Sequence, residues 1–317
     1  MAIMAKAEKL SLEQAWKNWG GCLTGNDTNS IFQQISTMIW DTAIFRIIIE
    51  ARQSQTKKNP QEPEINGALH SFIDRNYFQS QSAFIRRLTD NSYGLTGKKG
   101  VYSIAALIKN ISCYRTELTR ESFFKFRNMP YDFTETHDKE REFIRNQSSD
   151  NFIAIPPEYD WERIVEAHQI FDRLSGTTPN NRNPHDQITE RVFTRLQEKL
   201  AVCQRISNYV DKFIAHSATP ESRSIQNETT SAITFNHLWE AHQILFEVSE
   251  FISVVLFSEG HMALAIENPT FFEFWEKPLY ENGEIDLVRT SLENYRKETE
   301  KWNISGIEYI WQWVEVE

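Results

Sequence analysis

The chain has 317 residues, 40% of them hydrophobic and 25% charged, with only 11 Gly and 10 Pro; this supplies a sizeable core but few of the breakers that many short strands would need. Its formal net charge of −10 excludes a protein that coats nucleic acid through its overall field, because that mode requires neutralisation of phosphates, although a local basic strip stays open. Cys22, Cys113 and Cys203 are far apart and form no CxxC pair, which argues against a disulfide framework or a thiolate zinc site and for reduced thiols in a cytoplasmic protein.

In chain order, the N-terminus has no extended apolar region of the signal-peptide kind. Ser11-Leu12-Glu13-Gln14 reads as a capping box that opens a short first helix, with Gly20-Gly21 as its stop. A second box, Ser30 to Gln33, opens a long helix with Ile31, Ile35, Met38, Ile39 and Phe45 at three- and four-residue steps, and the polar run 53–63 reads as a loop. A third helix is expected over about 65–90, and a fourth carries Val101, Ile104, Ile108 and Ile111. Between 128 and 158 the periodicity dissolves into Pro, Asp, Ser and Asn, which predicts a long connection. Helices resume at 158–174, over Asp186 to Ser217, and over 233–257. The most apolar stretch, Ile244 to Phe257, is interrupted by Glu247 and Glu250 and is shorter than the roughly 20 residues a membrane span requires.

The expected fold is therefore all-α, a multi-helix bundle of long antiparallel helices over 1–260. An aromatic-rich C-terminal extension, 261–317, packs on it, and residues 308–317 are expected to form a short extended or strand-like segment.

Motifs for common chemistries are weak. Gly94-Leu95-Thr96-Gly97-Lys98-Lys99-Gly100 has the glycines and lysines of a phosphate loop, but the first glycine stands too close to the Gly-Lys pair. Lys99 also occupies the place of the Mg²⁺-binding hydroxyl, so an interhelical loop is the better reading. No HExxH pair, GxSxG elbow or paired Glu-x-x-His motif occurs, so neither a metal site nor a cofactor is predicted. The pentapeptide Glu166-Ala167-His168-Gln169-Ile170 returns as Glu240 to Ile244 without further repetition, and reads as a chance use of good helix formers.

The Asp186–Ser217 helix is richer. Ile188, Val192, Leu196, Leu200, Cys203, Ile206, Val210 and Phe213 form its apolar stripe. Beside the stripe, Arg205, Tyr209, Lys212 and His216 follow at steps of four, three and four residues, one above another on a single face. Two readings fit that line: a cationic, aromatic strip for a phosphodiester or nucleotide, or the solvated flank of a bundle helix whose long stems cover apolar surface.

Two segments together resemble the HEPN superfamily, in the all-helical branch of bacterial abortive-infection proteins. The first is Ser71 to Phe78 leading to Ile85-Arg86-Arg87-Leu88-Thr89-Asp90; the second is Asp211-Lys212-Phe213-Ile214-Ala215-His216-Ser217. The resemblance spans about 27–217 and implies a helical bundle that pairs into a homodimer, with RNA or an antitoxin-like protein as partner; no membrane partner is expected, from the short and charge-interrupted apolar stretch. It also implies a metal-independent ribonuclease cleft in which an imidazole moves a proton and a guanidinium stabilises the developing oxyanion. Carried onto this sequence, the catalytic positions are His216, Lys212 and Asp211, and the RNA- or ligand-binding positions are Arg205, Tyr209, Arg86 and Arg87. The arginine expected with four to six residues between it and the histidine is missing: Asp211, Val210 and Tyr209 stand at those places, and Arg205 lies about 16 Å up the helix axis at 1.5 Å per residue. The expectation is thus a degenerate nuclease or ligand-contacting cleft, with an active ribonuclease and a non-enzymatic interaction module as alternatives.

Overall fold

The structure is a computed structural model that describes residues 9–58, 67–146, 160–214, 233–260, 271 and 285–314. The described residues are overwhelmingly helical and contain no β-strand; an isolated antiparallel bridge joins Thr119 to Gln187. The helices are α1 (Leu12–Thr24), α2 (Ile31–Lys58), α3 (Gly67–Leu88), α4 (Ile104–Cys113), α5 (Arg120–Phe126) and α6 (Phe133–Arg145). They continue with α7 (Trp161–Ser175), α8 (Glu190–Leu200), α9 (Gln204–Tyr209), α10 (Phe235–Ile252) and α11 (Ile285–Val314). None of the described helices is long and apolar enough to cross a membrane.

Local sequence explains most of the boundaries. At Ser11 both arms of the capping box form: its hydroxyl accepts from the Gln14 N–H, and the Gln14 side chain accepts from the Ser11 N–H. Ser103, Thr119 and Thr234 cap α4, α5 and α10 in the same way, each accepting a backbone N–H three residues on. At the other end of α7, Gly176 adopts a left-handed conformation (φ 71°), and its N–H returns to the Asp172 carbonyl. A Cβ at that position would meet nothing nearer than Thr189 Cγ2 at 4.0 Å. Gly176→Ala should therefore cost only the left-handed backbone penalty, about 1 kcal/mol in urea unfolding; a neutral substitution would show that the cap does not hold this helix end.

Several expected boundaries are corrected. Gly20-Gly21 does not stop α1, which runs on to Thr24, because helical glycine costs only about 1 kcal/mol and burial of Trp16, Trp19, Cys22 and Leu23 outweighs it. The 53–63 loop begins later, since α2 continues to Lys58, where two lysines suit the helix C-terminus. The expected long connection contains α6, in which charged residues outnumber apolar ones, and its residues 147–159 lie outside the described residues. Residues up to Val314 within the expected extended tail are helical in α11, which buries Ile310, Trp311 and Val314.

The largest correction concerns Asp186–Ser217. Asp186 lies in a turn, and the helix begins at Glu190, tightens into a 3₁₀ turn at Ala201–Cys203 and widens into a π turn over Val210–Ile214. The apolar stripe is still buried from Ile188 to Val210, while Phe213 is exposed. Changes of winding of this kind are invisible to a fixed 3.6-residue count.

Helix α2 is the axis of the bundle. Its buried residues, Ile31 and Ile35 through Met38, Ala43, Phe45 and Ile47, occupy nearly its whole circumference, and it packs against α1, α3, α10 and α11. Phe45 stacks on Tyr77 of α3 at 3.8 Å. On the α10–α11 side, the Arg46 guanidinium lies between the rings of Trp239 (4.3 Å) and Tyr295 (4.2 Å) and donates to Glu298 at 2.7 Å. The last described helix is thus part of the same core as the first ones, in which Trp302 and Trp311 are also buried.

A second organising centre is Arg120 at the start of α5, whose side chain is fully buried. Its Nε and Nη2 reach Asp186 (3.0 and 2.9 Å), Nη2 reaches Asp172 of α7 (2.8 Å) and Thr177 (2.7 Å), and Nη1 donates to the His168 carbonyl at 3.2 Å. Arg182 completes the set by donating to both oxygens of Asp172. Two guanidiniums and two carboxylates neutralise one another, so this network ties α5, α7 and the 176–189 connection into one unit.

Candidate functional site

The two segments that carry the family resemblance meet at the C-terminal end of α3. The Arg86 guanidinium donates through Nε to Asp211 Oδ1 at 3.0 Å and lies 3.2 Å, through Nη1, from Asp90 Oδ2 one helical turn on. Next to it, the Thr89 and Ser207 hydroxyls are 3.0 Å apart. Asp211 stands in the π turn that begins at Val210, and its carboxylate meets α3 there. Partial burial works against the Asp90 charge, yet the Ser92 N–H and hydroxyl and the Arg86 guanidinium together hold its carboxyl below the usual range. Burial likewise opposes the charge of Arg86, and the two carboxylates raise its affinity for the proton above the ordinary arginine value. Arg86 is therefore a guanidinium already answered by two anions.

Arg87 is different. It is exposed, its guanidinium lies 4.6 Å from the centre of the Phe84 ring, and it lines a cavity of about 490 Å³ together with Asp27, Gln34, Asp90, Gly97 and Tyr102. A cavity of this size suits a small ligand or one nucleotide. Its far wall is the Gly94–Gly100 loop, which closes on itself through Val101 N–H to Gly94 O and Gly100 N–H to Gly97 O, both 2.9 Å. Gly97 takes φ 90°, a backbone state that side chains resist. The loop follows α3 and not a strand, and α4 begins only at Ile104 under its own Ser103 cap.

Of the expected line, Arg205, Tyr209 and Lys212 are each half-buried, and His216 lies outside the described residues. Arg205 Nη1 is 3.0 Å from His237 Nε2 at the start of α10, while the Tyr209 ring stacks on Phe213 at 4.9 Å. Lys212 is half-buried within the π turn. The winding changes within this stretch, from α-helix at Gln204–Tyr209 to a π turn over Val210–Ile214, so a fixed 3.6-residue count does not carry through it. Of the expected site residues, Arg86 and Asp211 come into direct contact, and Arg87 stands beside them on the cavity. Arg205 is engaged toward α10, and His216 lies outside the described residues.

Sequence reading did not find the Arg120 network. The seven-residue helix α5 is too short to show a period, and a buried arginine looks like any surface arginine in the sequence. His168 belongs to this network: its Nε2 is 2.9 Å from the Tyr131 carbonyl, and burial, followed by the charges of Arg182 and Arg120, lowers its proton affinity. Among the described residues, no three His, Cys, Asp or Glu side chains gather in a way that could hold a metal ion. Comparison of the chain with protein-family models, curated proteins and solved structures finds no match.

Proposed function

We propose that this chain is a HEPN-like helical protein of the bacterial defence or toxin-related kind, acting as a homodimer in the cytoplasm, with a degenerate nuclease cleft that contacts RNA at the end of α3. The observation that supports this reading is the Arg86–Asp211 contact, which joins the two motif segments although 125 positions separate them in the chain. The same contact favours degeneracy over an active ribonuclease. A guanidinium shared by Asp211 and Asp90 stands in low potential and cannot clamp a phosphodiester without losing both partners, and the carboxylates repel the phosphate directly. Arg87 remains to meet an RNA phosphate or to let one base into the adjoining cavity.

The test is fluorescence anisotropy with a short single-stranded RNA at low salt, alongside incubation of the same RNA in EDTA. Binding without cleavage is expected, with Arg87→Glu weakening binding at least tenfold, since a contacting cation becomes a repelling anion. Cleavage that disappears in His216→Ala would replace this reading with the active enzyme, and absence of any binding would reject the RNA contact. Phe72 and Leu69, 54% and 47% exposed on one side of α3, favour a second reading as a protein-interaction module. A monomeric chain that binds no RNA would leave that one standing.

A further inference from the structure

A second cavity, of about 600 Å³, lies between the end of α5, the first turns of α7 and the π turn Ser253–Phe257 that closes α10. It shares no residue with the Arg87 cavity. Its wall carries two guanidiniums, Arg127 and Arg163, and three carboxylates, Asp160, Glu162 and Glu166. Asp160 is committed, accepting the Arg163 N–H as the cap of α7. Arg127 is not: its Nε and Nη1 are sealed from solvent without a hydrogen-bond partner, and its guanidinium rests on the Phe123 ring at 4.7 Å. Burial, followed by the like charge of Arg163, pushes the Arg127 pKa down to about 10, with only partial relief from Glu166. The Ser258 hydroxyl at the rim is also buried and unpartnered, on a residue held at φ 57°.

A half-buried arginine with two sealed, unpartnered nitrogens is costly to keep, and its remaining Nη2, which is not sealed, is the atom that a partner entering the cavity can reach. The geometry points to a binding site for a small zwitterion, its oxyanion taken by Arg127 and Arg163 and its ammonium by Glu162 and Glu166. The charge pattern selects that class. A plain polyanion meets two exposed glutamates on α7, whereas a plain cation meets the two arginines. Ser258 adds a neutral hydroxyl that can donate to the oxyanion. The oxyanion could be a phosphate monoester or a carboxylate, since a guanidinium fork suits both.

Calorimetric titration of the full chain separates these cases, with phosphoethanolamine as the phosphate zwitterion and 6-aminohexanoate as the carboxylate one. Inorganic phosphate and ethanolamine are the single-charge controls. The expected result is saturable binding of one zwitterion, at least tenfold tighter than either control, and the tighter of the two identifies the oxyanion. Arg127→Met and Arg163→Met should each weaken it at least tenfold. Arg163 is half-buried, so its variant keeps the test intact if the Arg127 variant fails to fold. Glu166→Gln should weaken the zwitterion while leaving or improving the binding of phosphate. No saturable binding of either zwitterion, or binding indifferent to both arginine variants, overturns the site. RNA binding through Arg87 is read separately, so the two proposals fail independently.

Discussion

Replacing Arg120 by methionine should destabilise the fold by about 3–5 kcal/mol, because the carboxylates of Asp172 and Asp186 would then remain in the interior with half their counter-charge gone. Marginal folds hold only about 5–15 kcal/mol in total, so the variant should be largely unfolded well below the denaturant midpoint of the wild type. Arg120→Lys should not rescue it: one ammonium cannot reach Asp186, Asp172, Thr177 and the His168 carbonyl at once, as the planar fork does. A double change of Asp172 and Asp186 to asparagine in the Arg120→Met background should recover part of the loss, by removing the stranded anions. Urea unfolding of the series measures this. If Arg120→Met costs less than about 1 kcal/mol, the network is not the clamp described above.

The second large effect concerns pH. His242 is fully buried on α10, neither ring nitrogen has a hydrogen-bond partner, and burial together with the nearby Arg46 charge pushes its pKa down to about 3. In the unfolded chain the same imidazole takes its proton near 6.5. The unfolded state thus binds the proton more readily, and the contribution is fully present above 6.5 and lost as pH falls from 6.5 toward 3. The loss by pH 5 is about 2 kcal/mol and continues at about 1.4 kcal/mol per unit below that. His168, shifted in the same direction, adds to it. His242→Leu should flatten this acid limb and, by removing two unsatisfied polar atoms from the core, raise stability at neutral pH by about 1 kcal/mol or more. An unchanged acid limb in that variant would place the sensitivity elsewhere.

The histidines also show what a sequence can and cannot tell. The repeated pentapeptide places Ala167-His168 and Ala241-His242 in identical local settings, and in both copies the pair faces the core. Yet one imidazole has a carbonyl and a guanidinium beside it and the other has no partner, a difference decided by α5 and α2, which no local pattern encodes. The all-helical class was legible because burial repeats at three- and four-residue steps and the capping box at Ser11 has direct chemistry. Helix ends were less so: Gly20-Gly21 looks like a stop until Trp19 and Leu23 are seen to be buried on either side. At the candidate site, Arg86 and Asp211 pair across 125 positions of chain, which no local pattern encodes, while the Arg87 cavity depends on how the Gly94–Gly100 loop folds back. The charges at the α5–α7 cavity were unremarkable surface residues in the sequence.

The placement of α11 against α2 carries a consequence for synthesis. Arg46 waits for Glu298, 252 positions later, and for the ring of Tyr295 beside it. A ribosome adding roughly 5–20 residues per second needs roughly 13–50 s to deliver that partner. Throughout that interval the axis helix has no α11 to cover the side that α11 packs against. A chain that stops before residue 285 should therefore leave Arg46 and the neighbouring face of α2 uncovered and unfold at a lower denaturant concentration than the full chain.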